Sequence, residues 1–81
     1  MDIDDFHINK IMRDYPFLSK YEAIYLHFTN TIKEYEQHMN NLKSDLDNGI
    51  ITKSSFEDEI SAIKQDMSMF THSMKMKELR I

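Results

Sequence analysis

Apolar and aromatic side chains recur along residues 21–81 in two runs that mirror each other about one turn. In both runs the spacing alternates between four and three residues. Backward from the turn the positions are Leu46, Leu42, Met39, Tyr35, Ile32, Phe28, Tyr25 and Tyr21; forward they are Phe56, Ile60, Ile63, Met67, Phe70, Met74, Lys77 and Ile81. A repeat of this kind marks the stripe along which one helix packs against another. The sequence therefore predicts an all-α domain built on a long antiparallel helical hairpin, about residues 20–48 and 53–79, and we call the mirrored positions the seam.

The ends of the two long helices carry capping residues. Ser19 and Glu22 fit the capping box, in which each side chain accepts a hydrogen bond from the backbone N–H of the other residue. Gly49 supplies the left-handed residue that commonly ends a helix, and Thr52 is a suitable cap for the next one. These signals place the turn of the hairpin between residues 48 and 53.

A short helix over about residues 4–14 is predicted to precede the hairpin. Its apolar positions are irregularly spaced, at Ile3, Phe6, Ile8, Ile11 and Met12. Either Asp4 or Asp5 can cap its start. Pro16 ends it, because proline lacks a backbone N–H and disfavours helical geometry at the residue before it. We expect this helix to pack near the open end of the hairpin.

The stretch around the turn, residues 42–67, resembles the short C-terminal oligomerisation module known as SHOCT. The residues that carry the resemblance are Leu42, Leu46, Gly49, Ile51, Thr52, Phe56 and Glu57. Ser55 stands where that family usually has glutamate. The resemblance covers under a third of the chain and implies two short amphipathic helices around a capped turn. No family is indicated for the chain as a whole.

Length and composition restrict the chain to a single helical domain over residues 1–81. One glycine and one proline leave little room for turn-rich β structure. The absence of cysteine excludes disulfides and thiolate metal sites and suits a reducing compartment. No apolar run approaches the roughly 18 residues that cross a bilayer, and the first residues are acidic rather than signal-like. We therefore expect a cytoplasmic protein with no membrane partner.

The sequence contains no motif for catalysis or for cofactor binding. The HExxH and Glu-x-x-His motifs are absent, and a single glycine does not build a phosphate-binding loop. Glu34 and His38 lie one helical turn apart, but a zinc or di-iron site needs three or four ligands. The four histidines are therefore expected to be solvated or packed at edges. We predict no enzyme, no metal, no cofactor and no small-molecule substrate.

The charge distribution disfavours nucleic acid as a partner. A net charge of −4 is opposite in sign to the basic patch that usually binds phosphates. A basic cluster of Lys75, Lys77 and Arg80 ends the last helix, so a small nucleic-acid-binding regulator remains the alternative. The helix dipole also explains basic residues at this position.

Lys77 interrupts the apolar seam opposite Tyr25. It indicates where the seam opens to water, and its stem could lie along the tyrosine ring. Tyr21, Tyr25 and Tyr35 on the seam slightly favour an interface, because a buried tyrosine hydroxyl needs a hydrogen-bond partner.

A second apolar stripe lies beside the seam of the last helix, at Ala62, Met69 and Met76, which are seven residues apart. Ile24 widens the apolar face of the preceding helix at the same open end. Either the first helix covers this surface or it is left for a second protomer or another protein, and both can hold at once. The candidate partner-binding residues are Ala62, Met69, Met76, Ile24 and Phe6.

These observations lead to the hypothesis of a non-catalytic protein-interaction module, such as a small regulator, adaptor or assembly chaperone. A structural component of a larger assembly is a further alternative. We expect a homodimer, because helical hairpins often pair into four-helix bundles. Lysine outnumbers arginine eight to two, a bias that accompanies AT-rich genomes, including those of many phages, so a phage origin would fit.

Overall fold

The computed structural model describes residues 2–81 and contains three helices: α1 (Ile3–Asp14), α2 (Lys20–Asp47) and α3 (Lys53–Glu78). No strand occurs within residues 2–81, which confirms the predicted all-α class. α2 and α3 pack together as the predicted antiparallel hairpin, and α1 packs against α2. None of the helices in this described part of the chain is long and apolar enough to cross a membrane.

Side-chain caps fix the starts of both hairpin helices. The Ser19 hydroxyl accepts a hydrogen bond from the Glu22 backbone N–H at 3.1 Å, and the Glu22 carboxylate accepts one from the Ser19 N–H at 3.0 Å. The Thr52 hydroxyl accepts from the Ser55 N–H at 3.1 Å. Both predicted caps are confirmed, and each satisfies backbone donors that have no partner within the helix.

A left-handed glycine ends α2. Gly49 has a φ of +72°, a conformation that is strained for residues with a Cβ atom. The Ile50 N–H donates to the Asp45 carbonyl at 2.8 Å, and the Gly49 N–H donates to the Leu46 carbonyl at 3.1 Å. This pair of hydrogen bonds is the Schellman motif. The predicted role of Gly49 is confirmed.

The cap of α1 differs from the prediction. The Asp2 carboxylate accepts a hydrogen bond from the Asp5 backbone N–H at 2.7 Å, so Asp2 is the cap rather than Asp4 or Asp5. The helix begins one residue earlier than predicted, at Ile3. Asp4 and Asp5 therefore lie in the first turn, where their negative charges interact favourably with the helix dipole.

The seam forms the core of the hairpin over most of its length. Its side chains from the Leu46–Phe56 pair to the Phe28–Met74 pair are buried or half-buried, which confirms this part of the prediction. The rings of Phe28 and Phe70 stack with their centroids 5.9 Å apart. Helix contact along this stripe gives an elongated molecule of 47 × 22 × 18 Å. The packing changes at the open end, beyond Phe28.

Candidate docking surface at the open end of the hairpin

α1 covers one face of the open end. Ile8 from α1 packs with Ala23 and Ile24 of α2 and Met74 of α3, and none of these four residues is more than 2% exposed. The prediction that Ile24 contacts a partner is therefore wrong. Ile24 is fully buried because α1 already occupies the surface it presents.

An ion pair ties α1 to the end of α3. The Lys77 ammonium donates to the Asp5 carboxylate at 2.7 Å and to the Asp2 carboxylate at 3.2 Å. The hydrogen bond to Asp5 raises the pKa of Lys77 above its ordinary value. Hydrogen bonds from the Asp5 backbone and then from Lys77 hold the pKa of Asp2 below its ordinary value. Lys77 was expected to mark where the seam opens to water, and its contact with α1 was not predicted.

A buried histidine joins α1 to both hairpin helices. His27 Nε2 lies 2.9 Å from a carboxylate oxygen of Asp4, and the His27 ring stacks on His7 at 5.4 Å. The His27 ring also meets the ring of Phe70 edge-on, with the centroids 5.7 Å apart. His27 is an exception to the predicted solvated histidines, because its polar atom is paired with Asp4 inside the interface. Asp4 and Asp5, in the acidic first turn of α1, thus each make a polar contact with a hairpin helix.

The opposite face of the open end has no such cover. Tyr21 and Tyr25 are 53% and 57% exposed although they occupy seam positions. With Leu18, Phe28 and Met74 they line an apolar groove, which we call the tyrosine groove. Among the described residues, none from α1 lines it. The reason is angular, since successive residues of a helix point about 100° apart and Ile24 and Tyr25 therefore belong to different faces.

The tyrosine groove is shallow and has charged rims. It consists of two shallow depressions that share Tyr21 and Tyr25, of about 270 and 190 Å³, and each is smaller than the roughly 300–1,000 Å³ typical of small-molecule sites. Glu22 lies on the α2 rim, and Lys75 and Glu78 lie on the α3 rim. Tyr15 and Phe17, in the connection that precedes α2, are also exposed, and their rings meet edge-to-face at 6.1 Å. This shape is better matched to another protein surface than to a small ligand.

The predicted second stripe is exposed. Met69 is 65% exposed and Met76 39%, and Ala62 is also exposed, so of the two alternatives left open by the sequence, coverage by α1 does not hold for this stripe. Phe6, on α1, is 55% exposed. The stripe is narrow, because polar residues such as His72 lie beside it on α3, and isolated apolar side chains are common on protein surfaces. A binding role for Ala62, Met69, Met76 and Phe6 remains a prediction.

The nucleic-acid alternative and a metal site gain no geometric support. Lys77 is held by α1, so of the basic cluster only Lys75 and Arg80 are exposed. Within residues 2–81 no three histidine, aspartate or glutamate side chains come close enough together to hold a metal ion.

Sequence reasoning missed both the ion pair and the tyrosine groove. A usable signal was present in each case. Three aspartates at the start of α1 and a lysine at a seam position are complementary charges that a helix packed across the open end would bring together. Two tyrosines beyond the last apolar pair of the seam indicated where helix contact ends.

Comparison with known protein families, curated proteins and solved structures finds no match to this chain. The resemblance of residues 42–67 to SHOCT therefore stays a prediction.

Proposed function

We propose that this chain is a non-catalytic protein-interaction module and that its partner binds in the tyrosine groove. The observation that supports this most directly is the exposure of Tyr21 and Tyr25 at seam positions. From the Leu46–Phe56 pair to the Phe28–Met74 pair, the seam side chains are buried or half-buried. Burying a large apolar side chain is worth about 1.5–3 kcal/mol, so two half-exposed rings leave binding free energy for a partner to use.

The chemistry of the groove also suits protein recognition. Tyrosine combines an apolar ring with a polar hydroxyl and is enriched among the residues that dominate interface energies. The floor formed by Phe28 and Met74 is apolar, and charged residues on the rims would orient the partner. A groove between two helices is a common binding site for the apolar face of a third helix.

The proposed role is that of a small regulator, adaptor or assembly chaperone in the cytoplasm. The absence of cysteine supports a reducing compartment. The absence of catalytic motifs supports a binding role rather than an enzymatic one. The residue bias towards lysine, isoleucine and asparagine fits a phage or other AT-rich genome.

A capture experiment tests this proposal. Immobilised wild-type protein is compared with the double variant Tyr21→Ser/Tyr25→Ser in lysate of the native host, and mass spectrometry identifies the retained proteins. The matched control is Met69→Ser/Met76→Ser, which changes two exposed apolar side chains outside the groove. Circular dichroism confirms that all three chains are equally helical.

We expect the partner to be lost with the tyrosine variant and retained with the methionine variant. Loss with the methionine variant alone would transfer the binding site to the Ala62–Met69–Met76 stripe. Equal retention by both variants would contradict a docking role for the groove.

A further inference from the structure

The tyrosine groove fits a second copy of this chain, and we infer that two copies pair through it in an isologous dimer. This inference rests on the proposed docking function and names the partner. Two hairpins that meet at their open ends make a four-helix contact in which each covers the apolar side chains of the other. α1 lies on the outer face of each hairpin and stays in place.

A second copy that covers both the groove and the connection before α2 would bury enough aromatic area for such a dimer. Tyr15, Phe17, Tyr21 and Tyr25 are 48%, 80%, 53% and 57% exposed, which together equals more than two complete aromatic side chains. At about 200 Å² for each complete side chain, one copy offers roughly 500 Å² and a pair buries about 1,000 Å². That area is the lower limit for a specific interface and predicts a dimer of modest affinity.

The charges on the α3 rim are complementary to themselves. Lys75 and Glu78 both line the groove and lie three residues apart on α3. We place a two-fold axis in the plane between the two copies, perpendicular to α3 and midway between the levels of Lys75 and Glu78. Lys75 of each copy then lies opposite Glu78 of the other. In the hairpin register Tyr25 lies opposite Lys77, so the same axis brings the two Tyr25 rings together. If the α3 rim carried charges of only one sign, the rims of the two copies would repel each other.

The first test is the mass of the full chain by sedimentation equilibrium, from low micromolar to half-millimolar concentration. We expect the mass to rise from 9.7 kDa towards twice that value. Tyr21→Ser/Tyr25→Ser should weaken the dimer by about tenfold or more, as expected for central aromatic residues of an interface. Ile50→Ser, which changes an exposed apolar side chain at the turn end of the hairpin, should leave the dissociation constant unchanged.

The second test exchanges the charges. Lys75→Glu and Glu78→Lys, each alone, place like charges opposite one another and should weaken self-association by about fivefold, since exposed ion pairs are individually weak. An equimolar mixture of these two single variants should associate at least as well as the wild type, because every pair across the axis is then of opposite sign. Recovery on mixing cannot arise from a folding defect in either chain.

The outcomes separate this inference from the proposed function. A wild-type chain that remains at 9.7 kDa at half-millimolar concentration would overturn the dimer. If Tyr21→Ser/Tyr25→Ser nevertheless abolishes capture of another protein, the proposed docking function is supported although the dimer is not. A dimer unaffected by the tyrosine variant, or no recovery in the mixture, would also overturn pairing through this groove.

Discussion

The two faces of the open end differ in whether this chain supplies their partner. On one face α1 buries Ala23, Ile24 and His27, and the first turn of α1 adds ion pairs and a hydrogen bond to the contact. On the other face Tyr21 and Tyr25, from the same two turns of α2, are half exposed. What distinguishes the buried face from the exposed one here is the position of one short helix.

The largest expected difference between the faces is in folding stability. Ile24→Ala removes side-chain volume from a fully buried site and should lower the free energy of unfolding by about 2–4 kcal/mol. Tyr25→Ala removes a half-exposed ring and should cost less than about 0.5 kcal/mol in the monomer. Urea denaturation at low protein concentration, followed by circular dichroism at 222 nm, measures both. Equal losses would mean that the two faces are equally packed.

Gly49→Ala provides an effect of intermediate size at the other end of the hairpin. The added Cβ would meet no neighbouring atom within 4 Å, so the cost comes only from the left-handed backbone and should be about 1 kcal/mol. The same denaturation assay checks the value. Its effect should add to that of Ile24→Ala, because the two sites share no contacts. Clear non-additivity would show that the open end and the turn are coupled.

The ion pair between α1 and α3 should contribute less. A double-mutant cycle with Lys77→Met and Asp5→Asn should give a coupling free energy of about 0.5–1 kcal/mol, since the Asp5 side chain is 44% exposed and water screens the interaction. Methionine keeps the apolar stem of residue 77 in place. A coupling of zero would show that the Lys77–Asp5 pair does not help to hold α1 on the hairpin, which would leave the apolar contacts of Ile8 and the Asp4–His27 contact.

The smallest expected effect is a pH dependence of the α1 contact. The pKa of Asp2 is lowered in the folded chain, so its contribution is present above the ordinary value of 3.8 and is lost as the pH falls through the folded value. The pKa of Lys77 is raised, so its contribution is fully present below 10.5 and is lost as the pH rises through its folded value. Unfolding of wild-type and Asp2→Asn chains should therefore differ by a constant amount near neutrality and converge below pH 3.8. A difference that persists in acid would assign the effect of Asp2 to something other than its charge.

The hairpin was predictable because its determinants are local or periodic. Capping by Ser19 and Thr52, the left-handed Gly49 and the alternating spacing of the seam set the helix ends to within one residue of those observed. The face that α1 occupies was not predictable from periodicity. Ile24 and Tyr25 are adjacent in sequence and both have large apolar side chains. α1 covers the face of Ile24, where Ile8 packs and where Asp4 pairs with His27 and Asp5 with Lys77. Those pairs join residues 23 and 72 positions apart, a separation that no local pattern encodes.

The most direct measurement of the contrast between the faces is a concentration series by nuclear magnetic resonance, with the tyrosine rings and isoleucine methyl groups labelled. We expect the Tyr21 and Tyr25 ring signals to shift as the chain is concentrated, while the methyl signals of Ile8 and Ile24 stay fixed beneath α1. Shifts at Ile8 and Ile24 with unchanged tyrosine signals would contradict a docking surface on the tyrosine face.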